Sequence, residues 1–377
     1  NPAYQTAIQQ NIFLSGSNGT SEKYFVEKKL PQMVGWSATE KEKQFYKKYF
    51  RAMVTEFFDL AAADTSGLVQ YRIMFAPGTY KMYFPFKIPN NVCFYAVGST
   101  FVPDTSNSTG KKMENMFFNA TVGSGANIQM IGGTWDVTGQ SYASGSKVQT
   151  ASVAKFCGIT GLEMTGVTIK SNRWSHIMEI ADTQLAVFSG CTFTGNNKDS
   201  DDNSYLNVQP KEALQLDVAT VSAMGSIAKG HANGKGCSYV TITGCKFTNC
   251  GRGVGAHVGK KTQFSEISII NNTFKNSIGE AIFIQGLKDS TVANNKISKA
   301  RRAGMFIYYC KNINVTGNTV KSVSSYTGNR GATFDTDHYS AQVWNSKNIY
   351  IKGNKFKAKQ GGKTVRVAES KGVTAQK

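Results

Sequence analysis

The sequence is short of proline, histidine and acidic side chains, and it contains no long apolar run. Only 7 of its 377 residues are proline, too few for a proline-rich linker or a polyproline ligand. No stretch of 18 or more apolar residues occurs, so no helix that could span a membrane is expected. The 4 histidines, at positions 176, 231, 257 and 338, fall at no metal-ligand spacing. Seven cysteines are an odd number and form no CxxC pair, so neither a disulfide framework nor a zinc site is indicated. No metal and no cofactor is expected. Acids are outnumbered, 24 Asp and Glu against 43 Lys and Arg, which leaves a net charge of +19. A charge of that size speaks to partners and solubility rather than to fold. Nucleic acid, an anionic polysaccharide and an anionic cell wall all suit it. The opening NPAYQTAIQQ lacks the pattern of a signal peptide and reads as a mature N-terminus or a boundary within a longer chain. Glycine (37) and aromatics (11%) are plentiful, as in an ordered chain.

From about residue 125 one phrase recurs: IQMIGGTW, LEMTGVTI, AVFSGCTF, VTITGCKF, ISIINNTF, TVANNKI, INVTGNTV and IYIKGNKF. Its last apolar residues are Trp135, Ile169, Phe193, Phe247, Phe274, Ile297, Val320 and Phe356, with a minimum separation of 23 residues. A floor of that length with occasional insertions is the period of one coil of a parallel β-solenoid. Two positions before these residues stand Cys191, Cys245, Asn272, Asn295, Asn318 and Asn354. Stacked asparagines can hydrogen-bond from coil to coil, and the two cysteines are expected to be structural members of the same interior ladder.

A second strand precedes each phrase, with inward residues Phe156, Ile180, Leu216, Ala256, Ile284, Ile307 and Val343. Strand side chains alternate, so the flanking residues form two outward columns. One runs Cys157, Ala181, Asp217, His257, Gln285, Tyr308, Trp344; the other runs Lys155, Glu179, Gln215, Gly255, Phe283, Phe306, Gln342. Aromatic rings sharing one face with carboxylates, amides and a histidine mark a binding surface, and planar rings suit the apolar faces of sugars.

This repeat resembles the right-handed parallel β-helix of the pectate-lyase-like superfamily. IMFAPGTYKM followed by FKIPNNVCFYAVGSTF is similar to the first coils of those proteins, so the resemblance covers about residues 69 to 358. It implies an all-β, single-stranded right-handed parallel β-helix, and it is less specific for activity than for fold. SHIMEIAD, KEALQLDV and RGVGAHVGK are similar to phrases of secreted β-helix proteins of Gram-positive bacteria, among which are glycosidases of the lacto-N-biosidase kind. The resemblance implies a bacterial protein that is secreted or associated with the cell wall. This chain departs from the related sequences after the EALQLD phrase, where VATVSAMGSIAKGHANGKG carries no acid.

Residues 1–68 are expected to form an N-terminal cap built on a helix. Ser37 and Glu40 make a candidate capping box, and Phe45, Tyr49, Met53, Phe57 and Leu60 recur at helical spacing. A solenoid needs its open end covered. Residues 359–377, rich in Lys and Gly, are expected to be a basic tail or linker.

The chemistry is expected around Glu179 and Asp217, on successive coils in neighbouring columns. Strands lie about 4.7–4.9 Å apart, so the two carboxylates could sit at the roughly 5–5.5 Å that retaining glycosidases use. Glu212, at the start of the same strand as Asp217, is the third candidate catalytic residue. Gln215, His257, Arg252, Lys155, Gln285, Phe306, Tyr308 and Trp344 are the candidate substrate-binding residues. Long insertions before and after the Asp217 strand should rim the site. The leading expectation is a glycoside hydrolase acting on an oligosaccharide or polysaccharide, acidic ones included. A non-catalytic adhesin binding host or plant glycans needs only the aromatic and basic face. A polysaccharide lyase would draw its base from His257, Lys155, Arg252 or Tyr308. Nucleic acid is not expected as a partner, because no motif of a nucleic-acid-binding module occurs.

Overall fold

The computed structural model describes residues 11–15, 23–30, 40–103, 115–138, 153–171, 176–195, 210–256, 263–323, 339–360 and 362–375, with side chains from residue 48 onward. Strands wind into two sheets, one of 21 strands and one of 10, each strand pairing with its equivalents one coil before and one coil after. All pairings are parallel except that of Asn11–Ser15 with Lys23–Leu30 and one isolated bridge, Gln360 with Lys363. The molecule is a parallel β-solenoid.

The recurring phrase sets the register. Phe101, Trp135, Ile169, Phe193, Phe247, Phe274, Ile297, Val320 and Phe356 pair one to the next through the ten-stranded sheet. Phe193, Phe247 and Phe274 stack inside with centroids 4.9 and 4.8 Å apart and planes within 3° and 6° of parallel. That is the spacing of adjacent strands, so the coil repeat itself aligns the rings.

Polar groups inside the solenoid are satisfied by the asparagine ladder. The backbone N–H of Cys245 donates to Asn272 Oδ1, that of Asn272 to Asn295, that of Asn295 to Asn318 and that of Asn318 to Asn354, at 2.8–3.0 Å. Each asparagine amide also donates to a carbonyl of the preceding coil, such as Asn295 Nδ2 to Ile269 O at 2.8 Å. Buried backbone N–H groups must find partners, and the ladder supplies one per coil. All seven cysteines are buried and unpaired. Burial pushes the Cys250 and Cys310 thiols up to about 12, as befits packing groups rather than nucleophiles.

A second ladder marks the bend between the two strands of the larger sheet. Asn91, Asn127, Asn312 and Asn348 hold φ between 52° and 57°, the left-handed region that asparagine tolerates. The lane also carries Leu185 and Tyr239 at φ 52° and 54°.

The helix Glu40–Ala63 covers the open end. Its buried stripe is Phe50, Met53, Val54, Phe57, Phe58 and Ala61, while Leu60 points out at 41% exposure. Phe50 packs against Phe75, Tyr80, Phe84 and Phe86 of the first coils. Ser37 and the side chain of Phe45 lie outside the described residues.

The sheet runs past the expected boundaries at both ends. Lys23–Leu30 pairs in parallel with Val69–Phe75, so part of the expected helical cap is strand. Val365–Ala368 and Lys371–Ala375 pair with Ala341–Trp344 and Lys347–Lys352, adding a coil where a basic tail was expected. Val373 takes the lane of Ile349, which the many Lys and Gly around it obscured.

Candidate functional site

The two outward columns exist as lanes of paired residues. Lys155, Glu179, Gln215, Gly255, Phe283, Phe306 and Gln342 pair in succession. Cys157, Ala181 and Asp217 pair beside them, as do Gln285, Tyr308 and Trp344. His257 lies outside the described residues. The inward partners Phe156, Ile180, Leu216, Ala256, Ile284, Ile307 and Val343 are all buried.

A third lane breaks the alternation from which the two columns were read. Met178, Leu214, Val254 and Ile282 pair in register, and two residues before them stand His176, Glu212, Arg252 and Glu280. Ala213 and Leu214 both pack in the core, so strict alternation fails there and Glu212 turns to the same side as Gln215. The glycine at 255 makes room for it: a Cβ there would stand 2.3 Å from Glu212 Cγ.

These lanes hold a buried ion network. Arg252 donates from its Nη1 to Glu212 Oε1 and from its Nε to Glu280 Oε2, both at 2.8 Å. Its guanidinium carbon lies 3.8 Å from the Phe283 ring centroid. His176 bridges two carboxylates, with Nδ1 3.3 Å from Glu212 Oε2 and Nε2 3.8 Å from Glu179 Oε1. Lys155 closes the far end in an ion pair with Glu179, and its Nζ also donates to Ala223 O at 3.3 Å. Burial pulls the Arg252 pKa down, but Glu280 and Glu212 more than offset this and leave it above its ordinary value. Burial pushes the Glu280 carboxyl up, yet Arg252 and Arg302 hold it below the usual carboxylate range.

Of the expected catalytic residues, Glu179 and Glu212 lie on either side of the His176 imidazole. Asp217 is held separately: Oδ2 accepts from Gln215 Nε2 and Oδ1 from the Val218 N–H, each at 2.7 Å. The face is also more enclosed than the columns suggested. Glu212 is 1%, Gln215 2%, Arg252 4% and Phe306 0% exposed, so these four sit within the wall rather than on it. Phe306 stacks 5.5 Å from Tyr308, and Phe283 lies 5.3 Å from Phe306. Burial, with Tyr309 beside it, pushes the Tyr308 phenol up to about 12. The half-buried members of this end are Gln285, Tyr309 and Trp344, and Arg366 lies 5.7 Å over the Trp344 ring.

The insertion after Asp217 does fold over this wall. A short helix Val221–Met224 and a following turn pack Ala219, Met224 and Ala228 onto Cys157 and Ala181. His231 anchors the insertion, with Nε2 2.8 Å from Asp182 Oδ2, and Asn233 Nδ2 donates to the same oxygen at 2.7 Å. A separate cavity of about 300 Å³ lies on another lane, where Gln70 donates to Gln129 and Gln129 to Glu163. Among the described residues, no group of three or more His, Cys, Asp and Glu is placed to hold a metal ion.

Residues 227–375 match the family model described as the right handed beta helix region. The fold is the right-handed parallel β-helix. No curated protein sequence matches the chain. Among solved structures, PfbA, a surface adhesin of Streptococcus pneumoniae, superposes with a TM-score of 0.61 at 18% identity over 85% of this chain and 79% of that one. The ORF18 protein of Geobacillus virus E2 gives 0.52 at 9% identity, covering 95% of this chain and 65% of that one. DFA-IIIase from Arthrobacter chlorophenolicus A6 gives 0.50 at 11% identity over 85% and 87%. At these identities the likeness shows the fold alone. No helix of the described residues is long and apolar enough to cross a membrane.

Proposed function

We propose that this chain is a carbohydrate-binding β-helix protein, secreted or held at a cell surface, of the adhesin type. It takes a glycan against the end of the wall formed by Gln285, Tyr308, Tyr309, Trp344 and Arg366. The observation that carries this reading is the half-buried Trp344 and Tyr309, with the Arg366 guanidinium over one ring and the Gln285 amide in the adjoining lane. Rings with polar neighbours pair the apolar face of a sugar with its hydroxyls. The shared fold with a surface adhesin is compatible with such a role.

A second reading, a glycoside hydrolase, rests on Glu179 and Glu212 on either side of His176. Glycoside hydrolysis needs two carboxyl groups flanking the scissile bond, whereas here a protein imidazole occupies the space between them. Here each is already paired with a cation, Lys155 or Arg252, and would have to leave it to react. That weighs toward binding. Lyase chemistry draws less support: Lys155 is ion-paired with Glu179, Arg252 is held between Glu212 and Glu280, and the Tyr308 phenol is pushed up to about 12, while His257 lies outside the described residues.

A glycan array with the wild type and Trp344→Ala tests the reading. Binding to a defined set of glycans, weakened about tenfold or more by the substitution, is expected. No binding across a broad panel, or equal binding by both proteins, would overturn it. Release of reducing sugar by the wild type, abolished in Glu179→Gln, would establish the hydrolase instead.

A further inference from the structure

We infer that the last four coils carry a binding track for an acidic polysaccharide, on a face distinct from the Trp344 surface. Lys288, Lys311, Lys347 and Lys371 pair in register on four successive strands, and all four are exposed. Strands about 4.8 Å apart place these four stems in line over roughly 14 Å along the solenoid axis.

Like charges in register repel each other, and the coil geometry does not call for them. The same lane in earlier coils holds Thr160, Gln184, Ser238 and Ser265. Residues 287–375 contain 16 Lys and Arg against 4 Asp and Glu, of which Asp289 stands beside Lys288 at one end of the row. An unbroken row of repelling cations in a chain otherwise able to use Ser or Thr is the arrangement that a linear polyanion would relieve.

Sugar chemistry fits the lanes beside it. Asn348 donates to Asn312 and Asn312 to the carboxylate of Asp289, at 3.0 and 2.7 Å, in a polar ladder next to the lysines. Beyond it run Thr291, Asn314, Tyr350 and Thr374. Hydroxyls and amides along a charged row match a polymer of acidic sugars. Binding of single-stranded nucleic acid uses a succession of exposed rings, and in these lanes only Tyr350 offers one. The buried residues Leu287, Cys310 and Ser346 separate the lysines from the Gln285–Tyr308–Trp344 lane, so the track stands or falls apart from the glycan surface proposed above.

The test compares binding to polygalacturonate, heparin, neutral dextran and oligo-dT at low and high salt. Retention of polygalacturonate (carboxylate) or heparin (sulfate) but not dextran at low salt, with release at high salt, is expected. The quadruple variant K288Q/K311Q/K347Q/K371Q should weaken that binding about tenfold or more. The variant K246Q/K275Q/K296Q/K355Q removes the same charge from exposed positions of the ten-stranded sheet and should change it by less than about twofold. Melting curves confirm that both variants are folded. Equal losses in the two variants, no binding to either acidic polysaccharide, or tighter binding to oligo-dT would each overturn the inference. Loss of polygalacturonate or heparin binding in Trp344→Ala would place that binding on the other surface and would also overturn the inference.

Discussion

Replacing Arg252 by methionine should be among the costliest single changes in the wall. Arg252 is 4% exposed and holds Glu212 and Glu280, which are 1% and 0% exposed. Methionine keeps much of the aliphatic stem and removes the guanidinium, which holds both carboxylates and rests over Phe283. Breaking a buried pair by removing one partner costs about 3–5 kcal/mol, because the remaining charge stays desolvated. Urea unfolding followed by circular dichroism, wild type and variant side by side, reads this as a shift in midpoint. The pH dependence has a definite sign. In the wild type the Glu280 carboxyl lies below its ordinary value of 4.5, so its contribution is present above that value and is lost as pH falls through the folded pKa. In the variant the Arg252 guanidinium is gone and only Arg302 is left to oppose the effect of burial, so a proton is taken more readily on acidification. The variant's deficit should therefore shrink as the pH falls from neutrality toward the carboxylate range. Adding Glu212→Gln and Glu280→Gln to the variant should recover most of the loss, since no buried charge then lacks a partner. A cost under about 1 kcal/mol at pH 7, or a deficit unmoved by acid, would refute the assignment of Arg252 as the centre of the network.

Asn295→Ala removes the acceptor for the Asn272 N–H and the donor to Ile269 O; chemical denaturation should show a loss of about 2–3 kcal/mol. With every cysteine buried and the Cys157, Cys237, Cys250 and Cys310 thiols at about 12, the native protein should resist a thiol reagent near pH 8, whereas all seven should react once it is denatured.

The coil stack was readable because two regularities coincide in the chain. The 23-residue floor placed Phe274, Ile297 and Val320 in one lane, and strand alternation placed Ile284, Ile307 and Val343 inside. Both are local rules, and both hold wherever the strand is regular. The site was read less well because its decisive features are not local. Alternation tells which side of a strand Phe306 or Gln215 faces, but not what lies over that side. His176, Glu212, Arg252 and Glu280 stand where Ala213 and Leu214 turn inward together, so they fall out of the alternating pattern. The glycine at 255 was an irregularity in a polar column, and its meaning depends on the Glu212 side chain reaching over it. The register could be extended to His176 and Glu280 by counting two residues back from Met178 and Ile282. Nothing in the sequence showed that those two belong to the same network.

Burying four ionisable groups, Glu179, Glu212, Arg252 and Glu280, in the wall of a solenoid is costly, and a buried ion pair is seldom the cheapest way to stabilise a coil. The core and the asparagine ladder already hold successive coils together without it. The distribution is also uneven, with the network confined to the strands between Lys155 and Glu280. Arg252 links it to the later coils, since the guanidinium that bridges Glu212 and Glu280 rests over Phe283, which packs on Phe306, which stacks on Tyr308. The charged lane therefore underlies the ring cluster: two hydrogen bonds of defined direction fix the Arg252 guanidinium, which in turn rests over Phe283. A purely apolar wall would support the same rings with less angular constraint. On this view Glu212 and Glu280 serve to position the aromatic end, whose half-buried members lie around Trp344.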